Sequence, residues 1–324
     1  MAVIDSLREQ LLERRTRLEA AMPLLKDPAP VVHLLQEVDA ALERMENGTY
    51  GVCMVCQGHI EKELLLANPL VRVCLEDLNA AQQRALEEDL DLASRLQAAL
   101  LPQNNLALHG WEMHYHYAPA GPVGGDYWDM FPAQQGDGEL LFVLGDVSGK
   151  GVAASLLATQ LHAIFHSLLP FGLGPSDLVT RANRLLCESS FNSHYATLIC
   201  GKADGTGNVE ICNAGHPPAL LLSPQSVQHL DATGVPAGLF CDTPFDVTTV
   251  TLQPGDTLLM FTDGLTEAMD GQAEYGLERL SNLIAALHEL TPKDLVTSCL
   301  SDLTGFLAGR EPVDDLTLVA IRKI

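Results

Sequence analysis

Carboxylates recur in this chain where apolar runs stop. Gly124-Gly125-Asp126-Tyr127-Trp128-Asp129 follows one β-like run, and Leu144-Gly145-Asp146-Val147-Ser148-Gly149-Lys150-Gly151 ends another. Phe261-Thr262-Asp263-Gly264 ends a third, and Asp314-Asp315-Leu316-Thr317 begins the last. Aspartate beside glycine at a strand end places a carboxylate at a sheet edge, with backbone free to approach a ligand. One such site is usually a turn. Four in one region imply convergence, and converging carboxylates repel one another unless hard cations such as Mg²⁺ or Mn²⁺ neutralise them.

A second candidate set lies upstream: Cys53-x2-Cys56, then Cys74-x2-Asp77. Cysteines two residues apart can present both thiolates to one zinc ion, and two such pairs close a tetrahedral site. Here Asp77 stands in the fourth position as an oxygen ligand, and His59 is another candidate. A small knuckle held by packing, with no metal, is the alternative. His114 and His116 alternate with metal-like spacing, though on a strand such a pair is more often surface decoration. Lys150 reads equally as an attractor of phosphate or as a turn cap.

The elements that must position these residues follow from periodicity. Ile4, Leu7, Leu11, Leu18, Ala21 and Leu25 form a narrow helical seam, which Lys26-Asp27-Pro28-Ala29-Pro30 breaks. Val31, Leu35, Val38, Leu42 and Met45 form a second seam ending at Asn47-Gly48, so a helical hairpin is expected. Residues 80–101 form a connecting amphipathic helix with two stripes, Leu86-Leu90-Ala93-Gln97-Leu100 and Leu92-Leu96, which Pro102 ends. Two stripes suit a helix packed against more than one surface, for instance its own domain and a symmetry mate.

Beyond it come β-like runs at Trp111–Pro119, Leu140–Leu144, Tyr195–Cys200, Val209–Asn213, Asp256–Thr262 and Leu316–Ile321. Helical segments are expected near 151–169, 175–189, 276–289 and 292–308. Strands that cluster rather than alternate with helices indicate an α+β layered fold. The domains expected are therefore 1–79, the 80–101 helix, and 102–324.

Composition narrows the partners. The formal net charge is -23 over 324 residues, which excludes nucleic-acid binding through a general phosphate-neutralising surface. Gly151 to Ser176 carries no charged side chain, but its His162, His166, Gln160 and Pro170 indicate a buried core helix rather than a membrane span. The first residues lack an export signal, so a cytoplasmic protein is expected, with its 8 cysteines as thiols or metal ligands rather than disulfides.

The acidic motifs, together with Pro122-Val123-Gly124 and Asn213-Ala214-Gly215-His216-Pro217-Pro218, resemble the metal-dependent protein phosphatase (PPM) family in its bacterial SpoIIE/RsbU-like branch. The likeness runs from about Leu96 to Ile324. It implies two antiparallel β-sheets packed as a sandwich flanked by helices, with two Mn²⁺ or Mg²⁺ ions in a cleft. Asp126 would bind one ion, Asp146 would bridge both, and the carbonyl of Val147 would be a further ligand. Asp263 and Asp314 would share the ion of Asp126, with Asp315 the other reading of the adjacent pair. Such ions activate a shared water for in-line attack and neutralise phosphoryl oxygens, so Cys187, Cys200, Cys212, Cys241 and Cys299 need no catalytic role and read as ordinary small residues. Ser148 occupies the position where animal relatives carry a histidine, leaving the general acid unassigned, and His216 is expected to stabilise a loop. The implied substrate is a phosphoserine or phosphothreonine on a STAS-domain anti-anti-sigma protein, and the lead-in helix implies a homodimer.

The run Val38 to Cys53 and the cysteine spacing resemble the DksA/TraR family of helical-hairpin zinc-finger proteins. This implies a small N-terminal module holding one Zn²⁺. Asp77 replaces the family's last cysteine and the hairpin is short, with Asp27 the only acid near its tip, so a sensing or docking module is expected rather than a polymerase effector. Two other functions stay open: a non-enzymatic transcription regulator and a metal-binding pseudophosphatase.

Overall fold

A computed structural model describes residues 7–8, 10–12, 14–16, 18, 29–75, 80–108, 110–132, 139–189 and 194–324. Asp77, the break around Asp27, and Ile4, Ala21 and Leu25 of the first seam lie outside the described residues. The chain divides into two compact units, Met1–Leu90 and Asp91–Ile324.

In the first unit the described residues between 7 and 18 are helical. They are followed by α1 (Ala29–Glu46), α2 (Lys62–Ala67) and the start of α3 (Ala80–Leu100). Leu7 and Leu11 from the first seam, and Val38 and Leu42 from the second, are buried with Tyr50, Ile60, Cys53 and Cys74 in one cluster. Each buried leucine contributes about 1.5–3 kcal/mol. Short helices with narrow seams depend on that mutual burial, because propensity alone leaves them marginal.

The second unit is a sandwich. Besides the site strands given below, the strands are β1 (Leu106–Leu108), β6 (Asn208–Ala214), β7 (Ala219–Ser223), β8 (Ser226–Leu230) and β9 (Thr248–Thr251); one sheet has six strands in the order β1-β2-β11-β10-β7-β8, and the other has five in the order β3-β4-β5-β6-β9. Every pair is antiparallel. The strands that matter for the site are β2 (Trp111–Ala118), β3 (Asp126–Pro132), β4 (Leu140–Val147), β5 (Ala196–Ala203), β10 (Thr257–Phe261) and β11 (Leu316–Lys323). Period-2 alternation sends Phe142 and Leu144 of β4 into the inter-sheet core, where Trp128, Met260 and Val319 meet them. Val143 and Val147 point the other way, toward helices α4 (Gly151–Leu168) and α5 (Pro175–Ser189). In the same way Leu258 and Met260 of β10 face the other sheet. Leu259 and Phe261 face α7 (Leu277–Ala285) and α8 (Pro292–Leu307). Strands covered on both faces read as continuous apolar runs.

The uncharged run behaves as a core helix. With the 3-10 turn that follows, it is long and apolar enough to cross a membrane, yet Ala154, Ala158, Leu161 and Phe165 are buried against the five-stranded sheet. One expectation needs correcting. Cys187 and Cys241, read as ordinary thiols, form a disulfide across 54 residues, with Cα atoms 5.7 Å apart. That separation lies in the range a disulfide spans. The fold brings the end of α5 beside the segment after β8 (Ser226–Leu230), a proximity that composition does not reveal.

Candidate metal centre

Four strand ends meet at one end of the sandwich. Asp126 opens β3 and sits directly opposite Asp146 on β4. Like charges directly opposed on neighbouring strands are destabilising, so this pairing sets a requirement for compensation. Asp263 opens the four-residue helix α6 (Asp263–Thr266) just past β10. Asp314 and Asp315 precede β11, which pairs with β10.

The electrostatics record the crowding. Burial, then the charges of Asp263, Asp314 and Asp315, push the Asp146 carboxyl up to about 7. Asp126 is raised well above the usual carboxylate range by burial first and by Asp146 second. Asp263 is raised by burial, Glu267 and Asp314. Lys150 is the opposing cation: its Nζ donates to Asp314 Oδ2 at 2.6 Å and to the Val313 carbonyl at 2.8 Å.

The neighbouring groups hold the acids in place. Thr262 and Thr317 donate their hydroxyls to Asp126 Oδ2 at 2.9 and 2.5 Å. Both threonines stand inside the acidic motifs, which was the available signal for their role. Asp315 accepts backbone N–H groups at both oxygens, from Ala120 at 2.7 Å and Gly125 at 2.6 Å, and so braces the loop leading into Asp126. Gln97 of α3 clasps the same loop at two points. Its Nε2 donates to the Gly124 carbonyl at 2.7 Å, and its Oε1 accepts the Gly124 N–H at 3.0 Å. Ser148 Oγ accepts the Tyr195 N–H at 3.0 Å, tying the turn after β4 to the start of β5.

The other candidates lie apart from the acids. His114 Nδ1 is held by Asn105 Oδ1 at 2.8 Å on β2. His216 is buried, with Nε2 3.1 Å from the Phe261 carbonyl and Nδ1 2.8 Å from Thr197 Oγ1. A carbonyl only accepts, so Nε2 carries the proton and Nδ1 accepts from the threonine. Burial lowers its pKa to about 3, so it pins the strand end before Asp263 as a neutral ring. Because the folded pKa lies below the unfolded one, this stabilisation is present above about pH 6.5 and is lost as the pH falls, roughly 2 kcal/mol of it by pH 5. Urea unfolding of His216→Gln should therefore show a flatter acid limb than the parent between pH 7 and 5. Parallel curves would remove histidine 216 from the acid response.

In the first unit the sulfurs of Cys53, Cys56 and Cys74 lie within 4.8 Å of one another. Backbone N–H groups of Val55 and Cys74 point at the Cys53 sulfur, and that of Gly58 at the Cys56 sulfur, each at 3.4 Å. His59 is exposed and is not one of the converging group.

The profile of the family described as Stage II sporulation protein E (SpoIIE) matches residues 136–323. The chain belongs to the SpoIIE family. It is 28% identical over 267 residues to Protein IcfG of Synechocystis, covering 72% of this chain and 41% of that protein. It is 24% identical over 247 residues to the phosphoserine phosphatase RsbU of Bacillus subtilis, covering 74% of this chain and 72% of RsbU. The chain thus spans less than half the length of the first of these relatives. Among solved structures, the SiaA-PP2C domain of Pseudomonas aeruginosa aligns with a TM-score of 0.65 at 21% identity, covering 75% of this chain and 98% of that domain. The two antiparallel sheets with flanking helices are thus a PP2C-like fold, and the SpoIIE match takes in Asp146, Asp263, Asp314 and Asp315.

Proposed function

We propose that the chain is a Mn²⁺- or Mg²⁺-dependent protein serine/threonine phosphatase acting on a phosphorylated regulatory protein, a STAS-domain anti-anti-sigma factor. The observation that carries this reading is the convergence of Asp126, Asp146, Asp263 and Asp314 with Lys150 as the opposing cation. An all-oxygen donor set of this kind suits hard divalent ions, and the raised Asp146 carboxyl marks how far the protein alone falls short of neutralising it. Asp126, Asp146, Asp263, Asp314 and the Val147 carbonyl would hold two such ions, which supply an activated water and charge neutralisation at the phosphoryl group. The protein's own part is to fix the carboxylates: the threonine hydroxyls orient Asp126, and Asp315 and Gln97 set the loop before it.

The test is phosphate release from a phosphoserine peptide and from a phosphorylated STAS-domain protein with Mn²⁺. Release that requires the metal supports the reading, whereas bound Mn²⁺ without turnover would make the chain a pseudophosphatase. Within the same reading, Thr317→Val keeps the shape but removes a donor from Asp126. Mn²⁺ affinity should then fall about 10–100-fold, measured by titration at constant pH.

The first unit is read as a regulatory module holding one Zn²⁺. Support comes from the three converging sulfurs and the N–H groups directed at two of them, which favour thiolates. Asp77 stays the proposed fourth ligand. Homodimerisation through α3 is supported by Leu92 and Leu96, which are 49% and 61% exposed, and regulation through that helix by the Gln97 clasp on the backbone of Gly124.

A further inference from the structure

A second group of ligand-type side chains lies away from the acidic end. His162 and His166 occupy successive turns of α4, and their rings lie 4.0 Å apart. They face Asp129 on β3, whose side chain is 6% exposed. His166 Nε2 is 2.9 Å and His162 Nδ1 3.1 Å from the same oxygen, Asp129 Oδ2. The other oxygen, Oδ1, accepts the Met130 N–H at 2.8 Å, and the Tyr127 hydroxyl reaches Oδ2 at 3.4 Å.

This arrangement is poorly explained as a hydrogen-bonded ion pair. Two rings compete for one oxygen, and the buried His162 Nδ1 comes within 3.1 Å of it without the alignment of a well-formed hydrogen bond. A buried nitrogen without a partner costs about 1–3 kcal/mol. A cation between the three atoms would take one lone pair from each. Ligand atoms around a tetrahedral ion at 2.0–2.1 Å stand about 3.3 Å apart, so the two nitrogen–oxygen spacings need to open by only a few tenths of an ångström, and all three ligand atoms already lie within 4.8 Å of one another. His166, with a side chain 46% exposed, leaves a path for entry and for a bound water.

We propose that Asp129, His162 and His166 form a zinc-class cation site, chemically distinct from the all-carboxylate cluster. Two imidazoles and one carboxylate suit Zn²⁺ and its borderline neighbours, whereas the acids suit Mg²⁺ or Mn²⁺. An ion there would tie β3, which Asp126 opens, to the helix that begins beside Lys150. The site stands whether or not the chain is a phosphatase.

The full chain, held in excess Mg²⁺ to occupy the acids, is titrated with Zn²⁺, and bound zinc is counted by elemental analysis. His166→Ala, at a half-exposed position, should bind one equivalent less than the parent and lose the corresponding zinc-induced rise in melting temperature. Zinc on the cysteines is separated by repeating the comparison in a Cys56→Ser background. In the unaltered protein, Zn²⁺ should shift the imidazole NMR signals of His162 and His166 while leaving those of His216 in place. An unchanged zinc count in His166→Ala, or unmoved signals for both rings, would overturn the site.

Discussion

Asp146→Asn should abolish Mn²⁺-dependent phosphate release and, at the same time, raise the melting temperature of the metal-free protein. The activity loss is set by the several kcal/mol that a catalytic metal contributes, on the order of a thousand-fold in rate. The gain in stability has a separate origin. Asp146 carries a folded pKa of about 7, so at pH 8 the folded metal-free chain holds a carboxylate that burial and three neighbouring acids disfavour. The neutral amide removes that penalty, roughly 1–3 kcal/mol after allowance for solvent reaching the group. Below about pH 4 the parent carboxyl is protonated in both folded and unfolded chains, so the advantage should shrink as the pH falls from 8. Thermal melts with and without Mn²⁺ read one effect and phosphate release the other. Undiminished turnover would remove Asp146 from the mechanism, and a lower metal-free melting temperature would contradict the assigned repulsion.

Gly264→Ala should disrupt the same site chiefly through contact with backbone. A Cβ at this position would fall inside the carbonyl oxygen of Asp315 and would also meet the Asp314 Cβ at 3.4 Å. The obstacle cannot swing away as a side chain would. Asp315 is fixed by the Ala120 and Gly125 N–H groups, and Thr262 N–H bonds to the Thr317 carbonyl at 3.0 Å. The expected cost is about 3 kcal/mol or more, at the upper end for overpacking, with weaker Mn²⁺ binding. Gly305→Ala provides the opposite case. It lies inside α8 with open space around it, so exchanging glycine for the better helix former should stabilise by about 0.5–1 kcal/mol. Urea midpoints moving in opposite directions would bear out the contact; a neutral Gly264→Ala would refute it.

How much of this is legible in the sequence depends on the range of the interaction. The acidic motifs are visible because each is local: an aspartate at the end of an apolar run, next to glycine. Helices α4, α5, α7 and α8 lie where their periodicity indicates, and so do most of the strands. β3 is not read as a strand, because its first five residues are all buried and it carries two aspartates, which hides the alternation. β7 (Ala219–Ser223), buried over four successive residues, is missed for a related reason. Asp129 meets His162 and His166 only because α4 folds back onto the sheet that β3 edges, and spacing along the chain does not encode that. The Cys187–Cys241 bridge is hidden by its 54-residue separation and by the expectation of a reducing compartment.

The carboxamide of Gln97 satisfies both the backbone donor and the backbone acceptor of one residue, Gly124, much as a neighbouring strand would. A helix advances 1.5 Å and turns about 100° with each residue. A slip of α3 by a single residue therefore removes both bonds together instead of loosening them gradually. Under the regulation proposed above, that would make the clasp a vernier, engaged at one rotational phase of the helix in each turn.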